Sequence, residues 1–316
     1  MSAGRLALVF PGQGSQKVGM GGDWAAALPD AAATFAEADA ALGLPLSRLC
    51  WEGPAEELQL TANQQPAILA VSVAMQRVLA ARGVEPALVA GHSLGEYSAL
   101  VAAGSLRFAD ALRLVRRRGE LMQEAVPVGQ GAMAAILGLD AEAVEALVTE
   151  AAGDEVCAVA NRNAPEQTVI AGHAPAVARA VELARERGAR RALLLPVSAP
   201  FHSPLMAPAR QGLAPLLRAT SFVDPRVPVV VNVDAAPRFS GEALRDALER
   251  QVDSPVRWVE SVRWMAEEGG VGTFLEVGPG AVLSGLIRRI APDARALAIG
   301  SPETLDALLA ELPERS

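Results

Sequence analysis

The chain has 316 residues, of which 51% are hydrophobic, 20% charged and 4% aromatic, with 28 glycines and 22 prolines. That balance excludes disordered, collagen-like and disulfide-stapled classes, and it leaves length for one large domain or two ordinary ones. A net charge of −8 and so few aromatic rings argue against a nucleic-acid surface.

Of the 28 basic residues only Lys17 is a lysine, a bias that carries no function. Cys50 and Cys157 stand far apart with no His or Cys at metal spacing, so neither a zinc site nor a disulfide framework is expected. Residues 6–10 are too short for a signal-peptide core, and no run approaches the ~18 apolar residues of a membrane span. A cytoplasmic protein without membrane contact is the expectation.

In chain order, residues 6–10 read as a buried strand followed at once by the loop Phe10-Pro-Gly-Gln-Gly-Ser-Gln16. The loop fails as a phosphate cradle, because Lys17 stands where a G-x-G-x-x-G or Walker pattern needs glycine. Its backbone N–H groups can still serve as oxyanion donors, a role that the loop after an early strand fills in serine acyl enzymes. A helix is expected over 65–82 and a second strand over 87–90.

Gly91-His-Ser-Leu-Gly95 then leads into a helix over 96–103, so a G-x-S-x-G pattern sits in the strand–turn–helix context of a nucleophile elbow. The bland alternative is a glycine-rich turn with a capping serine. A nucleophilic Ser93 needs a base, and the chain has three histidines, His92, His173 and His202. His92 is adjacent in the turn and reads as support for the elbow, and His173 as a surface or turn residue. His202 lies in Pro200-Phe-His-Ser-Pro204, fixed by two prolines, with Ser203 as N-cap and Pro204 at the first helical position. It reads either as the base or as a structural residue.

The helix expected over 108–125 places Arg113, Arg116 and Arg117 on its polar face and Arg118 within its apolar face. A guanidinium there needs an anion, either a buried Asp or Glu or a substrate carboxylate. From residue 129 the rhythm changes to strand 131–139, helix 141–152, strands 156–161 and 167–171, helix 175–187 and strand 191–197. That βαββαβ order is the ferredoxin-like unit. The α/β alternation resumes with helix 204–218, strand 227–233, helices near 241–250 and 256–268, strand 273–277, helix 281–290 and strand 295–299. The small unit, residues 129–198, thus reads as an insertion into a large α/β domain of residues 1–128 and 199–316 with a mostly parallel sheet.

Together these motifs, with Arg118-Gly119, Gly131-Ala-Met133, Asn161-Arg-Asn163, residues 251–258 and Glu276-Val-Gly-Pro-Gly280, resemble the malonyl-CoA:acyl carrier protein transacylases and, more distantly, polyketide synthase acyltransferase domains. The resemblance implies a hydrolase-like large domain. It implies Ser93 as nucleophile, His202 as base, the N–H groups of Gln13 and Leu94 as oxyanion hole, and Arg118 as clamp on the malonyl carboxylate. Met122, Asn163 and Phe201 would bind substrate, and a main-chain carbonyl near Gln251 would orient His202 in place of an acid. Phe201 departs from the small residue usual in free-standing members and favours malonyl over α-branched groups.

The implied reaction is two-step transfer from malonyl-CoA to the phosphopantetheine thiol of acyl carrier protein, by a monomer needing no metal or redox cofactor. An acidic carrier would dock on arginine clusters such as Arg190-Arg191 or Arg288-Arg289. The alternatives are a thioesterase-like α/β-hydrolase, which predicts a late histidine after an acid, and a catalytically silent carrier-binding scaffold.

Overall fold

Among the described residues, ten strands run in chain order: β1 (Arg5–Phe10), β2 (Leu88–Gly91), β3 (Gly131–Leu137), β4 (Cys157–Ala164), β5 (Gln167–His173), β6 (Arg191–Leu194), β7 (Val229–Val231), β8 (Ala236–Arg238), β9 (Val271–Glu276) and β10 (Arg295–Ala298). The computed structural model describes residues 4–197 and 199–313. Residues 1–3, 314–316 and Ser198, the expected end of the insertion, lie outside the described residues.

Six strands form one sheet in the order β10-β9-β1-β2-β7-β8, parallel except for the β7–β8 hairpin. Alternation along β1 explains why it lies in the middle: Leu6, Leu8 and Phe10 enter one apolar cluster while Ala7 and Val9 enter another on the opposite face. A strand apolar on both sides must be covered on both sides. The expected α/β architecture with a mostly parallel sheet is therefore present. The four remaining strands form a separate antiparallel sheet, β4-β5-β3-β6, with the helices Ala141–Ala152 and Ala174–Glu186 on one face. Met133, Val169 and Ala171 on its other face join the main core. The segment between the helices Gly241–Gln251 and Trp258–Glu267 is strapped to β4 of the small sheet, since Val256 N–H donates to Ala160 O and Arg162 N–H to Val256 O, both at 2.9 Å.

Several expected elements shift. The helix expected at 65 begins at Thr61 and runs to Ala81 with Pro66 inside it. Pro66 has no N–H to give the Ala62 carbonyl, and Arg116 Nη1 donates to that oxygen at 3.3 Å instead. The helix expected over 204–218 opens as a 3-10 turn, Pro204–Met206, before the α-helix Ala207–Ala219. Ser203 precedes that turn, yet its hydroxyl does not cap it and donates to Pro200 O at 2.7 Å. Four short helices between residues 22 and 59, strand β8 and the helix Leu305–Glu311 had no counterpart in the sequence reading. No helix among the described residues is long and apolar enough to cross a membrane.

Candidate active site

The site gathers at the carboxyl ends of β1, β2 and β7, where ligands bind in open parallel sheets. After β2 the chain reverses sharply into the helix Gly95–Ala102. A Cβ on Gly91 would stand 1.9 Å from the Gly95 carbonyl group, and one on Gly95 would stand 2.0 Å from Phe10 O. Only glycine fits at either position. Ser93 between them is left-handed at φ 52°, a conformation uncommon for a residue with a Cβ. A Cβ on Gly12 would lie 2.5 Å from His92 O, so the loop after β1 runs against the elbow and brings Gln13 beside it.

His202 is the histidine that reaches Ser93. Its Nε2 lies 2.6 Å from Ser93 Oγ, and its Nδ1 lies 2.9 Å from the Gln251 carbonyl oxygen. A carbonyl can only accept, so Nδ1 carries the proton and Nε2 is left to take the serine's. The residue is itself left-handed, at φ 57°, in the turn that Ser203 ties back to Pro200. Burial, reinforced by the positive charge of Arg118, pushes the His202 pKa down to about 3. The ring is therefore neutral through the physiological range. His92 contacts Asn163 Oδ1 through Nε2 at 2.7 Å and sets its ring edge-on to Trp258, consistent with a supporting role. His173 precedes the helix Ala174–Glu186 and accepts the Val156 N–H on Nδ1 at 3.0 Å.

This electrostatic setting predicts the pH profile. A histidine of ordinary pKa would impose an acid limb on kcat/KM near 6.5, as protonation removes the base. With His202 at about 3 no such limb is expected down to about pH 5.5. Buried Glu96, raised by desolvation to about 7, titrates inside the window. Protonated Glu96 still accepts the Asn232 N–H, so a limb centred near 7 is assigned to Glu96, should be no deeper than about threefold and should vanish in Glu96→Gln. A limb near 6.5 that survives this substitution would show His202 titrating as a solvated imidazole.

Arg118 is 1% exposed and pairs with neutral acceptors. Nη1 donates to Gln65 Oε1 at 2.8 Å, and Nη2 donates to Gln251 Oε1 at 2.9 Å and to Ser93 Oγ at 3.2 Å. The buried Asp or Glu partner that the sequence left open is not among its hydrogen-bond partners. The guanidinium also lies over the Tyr97 ring, 5.7 Å from its centroid. Gly119 makes the placement possible, since a Cβ there would stand 2.7 Å from Thr61 O and force apart the helices that carry Arg118 and Gln65. Met122 packs in the same layer, with Sδ 3.9 Å from Gln65 Nε2.

A cleft of about 530 Å³ opens over the serine. Gln13, Ser93, Asn163, Phe201 and His202 line it, while Leu94, Arg118, Met122 and Gln251 lie behind its wall. The inserted sheet contributes Met133 and Val169, and the segment after β6 contributes residues 195–197. Gln13 meets Gln64 side chain to side chain at 2.5 Å. Among the described residues, neither the Leu94 nor the Gln13 N–H donates to a protein acceptor. Three residues at the site escaped sequence reasoning: Gln65, Asn232 and Glu96. The one available signal was the Gln64-Gln65 pair standing directly before the apolar run 66–71.

A hydroxyl at a strained elbow, a neutral imidazole to take its proton and two free N–H groups define an α/β enzyme of the acyl-transfer class. The model of the acyl transferase domain family matches residues 7–299. The chain is 53% identical to the malonyl CoA-acyl carrier protein transacylase of Escherichia coli K12 over 306 residues, 96% of this chain and 99% of that protein. An acyl carrier protein S-malonyltransferase structure from Vibrio cholerae O1 biovar eltor N16961 superimposes with a TM-score of 0.94 at 49% identity, covering 96% of this chain and 99% of that one. A malonyl-transacylase in complex with its type II PKS acyl-carrier protein gives 0.94 at 50% identity, over 97% and 99% of the two chains. The chain belongs to the acyl transferase family and, within it, to the malonyl CoA-acyl carrier protein transacylases.

Proposed function

We propose that the protein moves a malonyl group from malonyl-CoA to the phosphopantetheine thiol of acyl carrier protein by way of an ester on Ser93. The observation that carries the reading is the 2.6 Å contact between Ser93 Oγ and a neutral His202 whose other nitrogen is held by Gln251 O. In the first half-reaction Ser93 Oγ attacks the thioester carbonyl, its proton passes to His202 Nε2, and the proton then leaves with the coenzyme A thiolate. In the second, His202 takes the carrier thiol's proton, the thiolate attacks the ester, and the proton returns to Ser93. The N–H groups of Leu94 and Gln13 hold the oxyanion in both.

Arg118 receives the malonyl carboxylate, which takes the place of the amide oxygens of Gln65 and Gln251. A carboxylate is the stronger acceptor for a guanidinium, and a buried cation with neutral partners is suited to one. Phe201 and Asn163 shape the cleft around the acyl group, with Met122 backing Gln65. The larger domain, 1–128 with 199–316, is read as hydrolase-like and the segment 129–198 as a ferredoxin-like insertion. Support for the latter is its strand order β4-β5-β3-β6 with every neighbour antiparallel. Cytoplasmic location, a monomeric state and the absence of a resident metal or redox cofactor belong to the same proposal.

Carrier docking is assigned to Arg190 and Arg191. Both are exposed where the chain enters β6, and the segment beyond β6 lines the cleft. Arg288 and Arg289 are tethered to Ala296 O and Gln167 Oε1. Transfer of labelled malonyl from malonyl-CoA to holo carrier protein tests the function. Reversing Arg190 and Arg191 to Glu should raise the carrier's KM, most at low salt, and leave Ser93 acylation unchanged. Hydrolysis to free malonate without transfer would favour a thioesterase instead.

A further inference from the structure

Behind the elbow lies a polar pair that the steps above do not use. Asn232, the residue after β7, and Glu96, in the first turn of the elbow helix, are both fully buried. Asn232 Oδ1 accepts the Ser93 N–H at 2.7 Å, and its Nδ2 donates to Gly91 O at 2.6 Å. Its own N–H donates to Glu96 Oε2 at 2.7 Å. One side-chain amide thus grips the peptide groups on both sides of His92, and Glu96 fixes the backbone that carries the amide. On the far side of Ser93, Gln251 Nε2 donates to the serine's carbonyl at 3.0 Å.

Gly91 and Gly95 permit the sharp turn without imposing it. A left-handed residue with a Cβ persists only where its surroundings over-determine it. The bond to Asn232 also commits the Ser93 N–H and leaves oxyanion binding to the next residue. We infer that Asn232, braced by Glu96, is a positioning residue that holds Ser93 left-handed and so sets the rate at which its hydroxyl is acylated. The inference rests on the acyl-transfer reading for the malonyl assay alone.

The test measures, per folded molecule, the single-turnover acylation rate and KM with malonyl-CoA, together with the rate of Ser93 labelling by a fluorophosphonate. Asn232→Ala should slow acylation and labelling together by about 10²-fold, the scale of a misplacement near 1 Å, and leave KM within about twofold. Glu96→Ala should slow both about tenfold. Glu96→Gln, whose amide oxygen accepts the same N–H, should stay within about threefold of the parent. Asn232→Ala acylating at near the parental rate, or losing only in KM, would overturn the inference. If that variant does not fold, the Glu96 pair decides: equal rates in the alanine and glutamine variants overturn it. A parent that reacts with the fluorophosphonate and forms no malonyl ester would end the acyl-transfer reading, and the labelling ratios would still judge Asn232.

Discussion

Replacing Arg118 by alanine is expected to lower kcat/KM for malonyl-CoA at least ~10-fold, and far less for acetyl-CoA. Hydrogen bonds to charged groups contribute roughly 1.5–3 kcal/mol each, and ~1.4 kcal/mol is a factor of ten. A carboxylate gripped by both Nη groups would lose two of them, whereas acetyl-CoA offers no carboxylate. Arg118→Lys should recover only part of the difference, because an ammonium cannot reproduce the planar fork. The variant also removes a donor from Gln65 Oε1 and from Gln251 Oε1, so a small loss is expected for both substrates. Equal losses for the two, with a lowered Tm, would show Arg118 to be a structural tie between its glutamines.

The second large effect belongs to His202. Its substitution by alanine should slow acylation by about 10²–10⁴-fold, the usual contribution of a positioned general base. Residual acylation should persist, because the Leu94 and Gln13 N–H groups still meet the oxyanion. The buried position makes a cavity at alanine, so His202→Gln serves as a second variant of closer volume. Both are scored by stopped-flow release of coenzyme A, and parental rates in both would mean that another group takes the proton.

The constraints that were local in sequence were legible there. The elbow could be read because its two glycines and serine lie within five residues between a strand and a helix. Arg118 stood out because helical periodicity alone puts a charge on an apolar face, although the sequence could not show that its acceptors are the amides of Gln65 and Gln251. The hydrogen bond between Asn232 and Glu96 joins residues 136 apart, and an asparagine after three valines looks like any strand end. The helices between residues 22 and 59 were missed for a related reason: with 5 to 14 residues each, they are too short or too alanine-rich to show a face. The start at Thr61 was hidden by Pro66, whose lost hydrogen bond is replaced by an arginine from another helix.

The central claim is that malonyl resides covalently on Ser93 between donor and acceptor. Intact-mass measurement after brief incubation with malonyl-CoA, on the parent and on Ser93→Ala, tests it most directly. The parent should gain the mass of one malonyl group and lose it again on addition of holo carrier protein. Ser93→Ala, folded because the hydroxyl fills no core volume, should gain nothing. An adduct of the same mass in Ser93→Ala, or transfer to the carrier without any adduct in the parent, would contradict the account.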